Sequence, residues 1–359
     1  MRFVHPIGVL VHTVRRRRRQ AFVLAAAFCV SGLLPLPVRS QAPAEEPGGW
    51  TPPRTAAGRP DLQGVWVSRS ATPLERPASL AGRERLTDEE VAGQARRADL
   101  LFSDDGNDFA AGDNLFLAAL GNSERYDNPR STCGALAMLG RRFDNRTSLI
   151  IDPPDGRLPP LTHAAKERLA AAAAMEMRPD GPDDLSSWVR CVTRGLPRLG
   201  GSSGAGIYGY YQILQTADHV ALVMETIHDA RLIPLDGRPR LQDGIRQWLG
   251  DSRGHWEGDT LVVETGNFSS SATVMGSDRN LHLVERFTRM AEDTISYEVT
   301  ITDPTAWTAP WTVRLPLTRT DEAIYEFACH EGNHYGMLGI LAGAREQDRT
   351  EAEARASGR

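Results

Sequence analysis

Two short segments gather residue types that can move protons. His228-Asp229 closes the run His219 to His228, and His330-Glu331-Gly332-Asn333 follows Cys329 far downstream. A histidine beside a carboxylate can serve as general base and acid around neutral pH, and an Asn or Tyr donor can hold a developing oxyanion. His228, Asp229, His330 and Glu331 are therefore the candidate catalytic residues. Glu225, Arg231, Tyr208, Tyr210 and Asn333 are the candidate ligand-binding groups. Proton abstraction, elimination or cyclisation would need no more than these. His228, Glu225, His330 and Glu331 are also metal-ligand types. The chain has no H-E-x-x-H or short paired-histidine spacing, and adjacent His330 and Glu331 on a strand would point to opposite faces. Neither a metal nor a cofactor is expected.

A second set of titratable residues lies in apolar surroundings. Along His219 to His228, alternation puts Val220, Leu222, Met224, Thr226 and His228 on one face and Ala221, Val223, Glu225 and Ile227 on the other. Both faces are largely apolar, so Glu225 is expected on a mostly buried strand, where a carboxylate needs a partner or stays protonated. Arg231 or Arg286 is the expected partner. Glu264 and Glu285 sit among Val and Phe residues and raise the same question. The bland reading is a set of carboxylate–arginine pairs that fix strand register. Other chemistries lack their signatures: there is no G-x-S-x-G elbow, no dinucleotide fingerprint after a strand and no C-x-x-C.

The elements that must position these residues are mainly β. From Ile207 onward, short β-type runs succeed one another with close turns, as in an antiparallel barrel or sandwich. Tyr210 to Gln215 pairs with His219 to Thr226, and Arg231 to Leu235 leads into the Asp236-Gly237 turn. Asp251 to Gly254 and Thr260 to Thr265 flank a hairpin at His255 to Asp259. Leu281 to Arg289 and Thr294 to Ile301 follow, and Trp311 to Thr318 with Ile324 to His330 is read as the last pair. Upstream, the strand Leu62 to Val67 carries Gly64-Val65-Trp66, a G-x-W element similar to the opening strand of lipocalin-like barrels. The expected fold is thus an antiparallel lipocalin-like barrel over 200–345, with a sandwich as runner-up.

Residues 61–200 read as an irregular wrapping region. Thr87 and Glu90 form a capping box that opens a helix to about Phe102, and Thr162 caps a second over roughly 162–177. Arg146 to Ile151 reads as a strand running into the turn Asp152 to Gly156. The Gly/Ser-rich stretch Gly200 to Gly206 is the expected boundary, and it lacks the Lys-Ser/Thr ending of a phosphate-binding loop. Residues 346–359 are expected to be a disordered tail. Trp307 and Trp311 flank Pro310 loosely like a sugar-stacking pair, with packing the expected use.

The first 40 residues read as a cleavable signal peptide, followed by a disordered linker over 41–60. Arg15 to Arg19 form a basic run and Ala21 to Leu34 an almost uncharged apolar stretch of about 14 residues, shorter than the roughly 20 of a spanning helix. A periplasmic or secreted protein is the expectation, without stable membrane insertion after cleavage. Seven of the 41 basic residues lie in this segment, leaving 34 against 46 acidic ones, a balance of about −12 that disfavours nucleic acid. Three cysteines remain, Cys133, Cys191 and Cys329, enough for one disulfide in an oxidising compartment. Three pairings are open, and Cys191 with Cys329 is the expected one.

Several segments resemble a widespread set of exported bacterial proteins of unknown function. They are Arg146 to Arg157, Ile227 to Gly237, Trp256 to Glu264, and Cys329-His330-Glu331-Gly332-Asn333. The resemblance covers most of the chain beyond the leader and implies export and β architecture, without implying a reaction. The functional expectation is binding of a small, partly apolar molecule in the barrel. Metal-free lyase, isomerase or cyclase chemistry, and an envelope scaffold without a ligand, are the alternatives.

Overall fold

The computed structural model describes residues 50–102, 120–121, 142–199, 209–270 and 275–358. The chain divides into two units, Met1–Glu46 and Pro47–Arg359, and every described residue belongs to the second. The leader, the Gly/Ser-rich stretch, Tyr208 and Cys133 lie outside the described residues.

Ten strands form one antiparallel sheet: β1 (Gly64–Val67), β2 (Ile150–Asp152), β3 (Tyr210–Gln215), β4 (His219–Met224), β5 (Ala230–Pro234), β6 (Asp251–Glu257), β7 (Thr260–Gly266), β8 (His282–Ala291), β9 (Thr294–Thr302) and β10 (Trp311–Thr320). Nine follow the order β5-β4-β3-β1-β10-β9-β8-β7-β6, and β2 pairs with β10 off this path. The sheet curls into a nearly closed barrel. The alternation that predicted the strands also decides which side chains face the core. On β8 Leu283, Glu285, Phe287 and Arg289 are buried while the residues between them are less so, and β9 repeats the pattern with Ile295, Tyr297, Val299 and Ile301.

The upstream G-x-W strand is where the sequence placed it in the barrel. β1 lies between β3 and β10, with Trp66 opposite Tyr211 on one side and Arg319 on the other. Trp66 is fully buried and donates its indole N–H to the Leu62 carbonyl at 2.8 Å. Arg289 reaches across this end of the barrel, with its guanidinium 5.5 Å from the Trp66 ring and its N–H groups on the Asp61 and Glu292 carbonyls.

Closure is incomplete at one seam. Nine strands that alternate in direction bring the first and last, β5 and β6, together running the same way, and no backbone ladder joins them. Side chains make the seam instead. A Cβ on Gly254 would lie 2.7 Å from Leu235 Cδ2 and 2.9 Å from Ile233 Cγ2, so the missing side chain lets the two edges approach. Two residues back along each strand, Arg231 donates to Ser252 Oγ at 3.1 Å.

The two upstream helices occur as expected, at Asp88–Phe102 and His163–Met177. Thr87 and Glu90 exchange the two capping-box hydrogen bonds, and Thr162 Oγ1 accepts from the Ala165 N–H. Two expectations fail at the other end. Ile324 to His330 is no strand, because both edges of β10 are already occupied by β9 and β1. Of the expected disordered tail over 346–359, residues 346–356 instead belong to one helix that runs from Asn333 to Ala356. Arg349 pairs with Glu346 and Glu353 along that helix, and Arg178 ties it to the body through Asp348 and Glu351. Trp307 and Trp311 are buried in edge-to-face contact, which is packing. Cys191 and Cys329 form a disulfide with their Cα atoms 5.8 Å apart.

Candidate functional site

The buried charges resolve first. Arg231 on β5 crosses the barrel interior to Glu285 on β8, with N–H to carboxylate distances of 3.0 and 2.6 Å. Tyr297 donates its hydroxyl to the same carboxylate at 2.8 Å, and Thr265 Oγ1 accepts from Arg231 at 2.9 Å. Arg231 and Glu285 are both almost completely buried. The Glu285 carboxylate beside it raises the Arg231 pKa despite burial, while burial and that same carboxylate push the Tyr297 phenol well above its usual range. The expected pairing of Glu225 with Arg231 or Arg286 is therefore corrected: Arg231 serves Glu285, and Arg286 serves Glu257 on the barrel exterior. Glu264 is half-exposed and pairs with Arg240.

Glu225 ends up just beyond β4, buried, with its carboxylate accepting the Tyr325 N–H at 3.1 Å. Burial pushes its pKa up. Asp229 is buried too. It accepts from Thr193 Oγ1 at 2.9 Å, from the Arg194 N–H at 3.3 Å and from Arg198, and burial nevertheless pushes its carboxyl up. Between these two anchored acids the chain turns through Ile227 and His228, both with positive φ, 60° and 45°. That region disfavours a β-branched side chain. The turn buries Ile227 and leaves His228 exposed.

The second histidine comes to the first. His228, Glu326 and His330 are all exposed, and one potential ligand atom from each lies within 4.8 Å of the others. The segment that carries Glu326 and His330 is held by Glu225 at Tyr325, by the disulfide at Cys329, and by Asn333, whose amide donates to the Val189 carbonyl at 2.8 Å. Trp188 and Phe327 stack there at 5.8 Å. Glu331 is exposed and outside the trio. Tyr210 donates to Glu322, which also binds Arg69, and burial with Glu322 pushes its phenol up. Glu326 was missed by sequence reasoning, although a signal existed: it lies an even number of residues before His330, hence on the same face of any extended segment.

A cavity of about 660 Å³ opens at the β5–β6 seam. Arg231, Pro234, Asp251 and Ser252 are its buried members, and Leu232, Leu241, Trp248 and Leu249 give it apolar walls. Arg238, Arg246 and Arg253 complete a basic lining. Arg238 is paired with Asp236 and Arg253 with Asp251. Arg246 donates to the Arg279 carbonyl and pairs with no carboxylate among the described residues. The buried Arg231 Nε has no hydrogen-bond partner among them either. Trp248 is 38% and Leu232 66% exposed, enough apolar surface to meet a ligand. No protein-family model, curated protein or solved structure matches the chain.

Proposed function

We propose that the chain is an exported protein that binds a small, partly apolar molecule with an anionic group, and that it does so at the barrel seam rather than deep in the barrel. The observation that carries this is the cavity between β5 and β6, apolar on its walls and lined by Arg246 and the buried Arg231. Its volume falls within the several hundred Å³ typical of small-molecule sites, and a few placed polar groups in apolar walls are what such sites use. Guanidinium groups favour carboxylate, sulfonate or phosphate groups. The barrel interior proper is taken up by Trp66, Phe287, Tyr297 and the Arg231–Glu285 pair, which leaves the seam as the entry.

Export rests on the basic and apolar leader, and the Cys191–Cys329 disulfide fits an oxidising compartment. No described helix is long and apolar enough to cross a membrane. A net acidic chain beyond the leader argues against nucleic acid as a partner.

A fluorescence titration with anilinonaphthalene sulfonate, an apolar anionic dye, tests the reading. Saturable binding of one dye, weakened at least tenfold in Arg246→Ala and in Trp248→Ala, is expected. Binding that is unsaturable, or undiminished in both variants, would sink it. Metal-free lyase, isomerase or cyclase chemistry is the second reading, favoured by the approach of His228 to His330 and Glu326.

A further inference from the structure

We propose that His228, Glu326 and His330 form a binding site for zinc or a chemically similar first-row divalent ion. Two imidazoles and a carboxylate are a donor set for zinc, copper or nickel, not for calcium or magnesium, which take oxygen ligands. Tetrahedral coordination with bonds of about 2.0–2.1 Å sets ligand atoms roughly 3.3 Å apart. The three candidate atoms lie within 4.8 Å of one another on exposed side chains, so small rotamer changes close the difference. Three protein ligands leave a fourth position for water, the arrangement of an open zinc site.

The backbone beneath each ligand is held by its neighbours in sequence. His228 precedes Asp229, which Arg198 and Thr193 grip in the interior. Glu326 follows Tyr325, whose N–H is bound by Glu225. His330 follows Cys329, covalently tied to Cys191. Two chain segments distant in sequence, one at His228 and one from Glu326 to His330, thus converge on one point. Elsewhere the exposed His255 and His163 form two-residue pairs with acids, Glu257 and Glu167. The site shares no residue with the lining of the seam cavity and stands or falls independently of it.

Isothermal titration of the full mature protein, stripped with chelator and titrated with zinc chloride, decides the matter. One equivalent is expected to bind, with affinity at least tenfold weaker in His228→Ala, His330→Ala and Glu326→Gln, and unchanged in His255→Ala. Absence of stoichiometric binding, or full affinity in the double variant His228→Ala/His330→Ala, overturns the proposal. Should a variant lose its native circular dichroism, diethyl pyrocarbonate labelling of the unsubstituted protein is the second measurement. Zinc must then protect His228 and His330 but not His255; equal labelling with and without zinc contradicts the site.

Discussion

Arg231 on β5 and Glu285 on β8 meet across the interior of the barrel, at 2.6 Å, although neither strand is hydrogen-bonded to the other. The pair holds the edge strand β5 to β8, with Tyr297 donating to the carboxylate and Thr265 and Ser252 accepting from Arg231. Arg231→Met leaves a buried carboxylate unpaired and is expected to cost about 3–5 kcal/mol in urea denaturation. The double variant Arg231→Met/Glu285→Leu should recover most of that loss. Equal stability of the single and double variants would mean the pair does not act as a unit.

The seam itself depends on Gly254. Gly254→Val places methyl groups where Ile233 and Leu235 pack, and about 1–3 kcal/mol of destabilisation is expected from overpacking. Hydrogen exchange should quicken in β5 before it does in β9, which is paired on both sides. Uniform quickening across the barrel would count against a seam held by side chains.

The disulfide closes a long loop, its partners standing 138 positions apart in sequence. Cys191→Ser/Cys329→Ser is expected to lower stability by about 2–4 kcal/mol. Limited proteolysis of that variant should cut first near Tyr325 to Gly332. Cleavage unchanged from the native protein would mean that Glu225 and Asn333 alone hold the segment.

Glu90 offers a pH test of the capping box. Hydrogen bonding by Arg83, then by the Thr87 N–H, holds its carboxyl down to about 2. A depressed folded-state value means the stabilisation is complete above the ordinary Glu range and lost as pH falls toward 2. NMR titration should place the Glu90 midpoint near 2, and Arg83→Ala should return it toward the ordinary range. An ordinary midpoint in the native protein would refute the capping geometry.

The barrel was legible because its strands alternate cleanly: His282–Ala291 and Thr294–Thr302 bury every second residue, and Gly64-Val65-Trp66 marked a strand recruited from far upstream. Ile324 to His330 has a similar alternation and was misread, since local pattern does not reveal that β10 has no free edge. The charged stretch 346–359 reads as a disordered tail, whereas residues 346–356 continue the helix that begins at Asn333. Those charges are what pair at helical spacing and with Arg178. His228 and His330 were found by residue type, whereas Glu326 and Arg246 acquire their roles from tertiary placement. Arg231 was singled out for ligand binding and lines the cavity, yet its charge is already matched by Glu285.

The central claim, a small anionic and partly apolar ligand at the β5–β6 seam, is tested most directly by native mass spectrometry of the mature protein from its own producing cells. The account predicts one adduct, released by organic extraction and absent from Arg246→Ala/Trp248→Ala. An adduct retained undiminished by that double variant would contradict it.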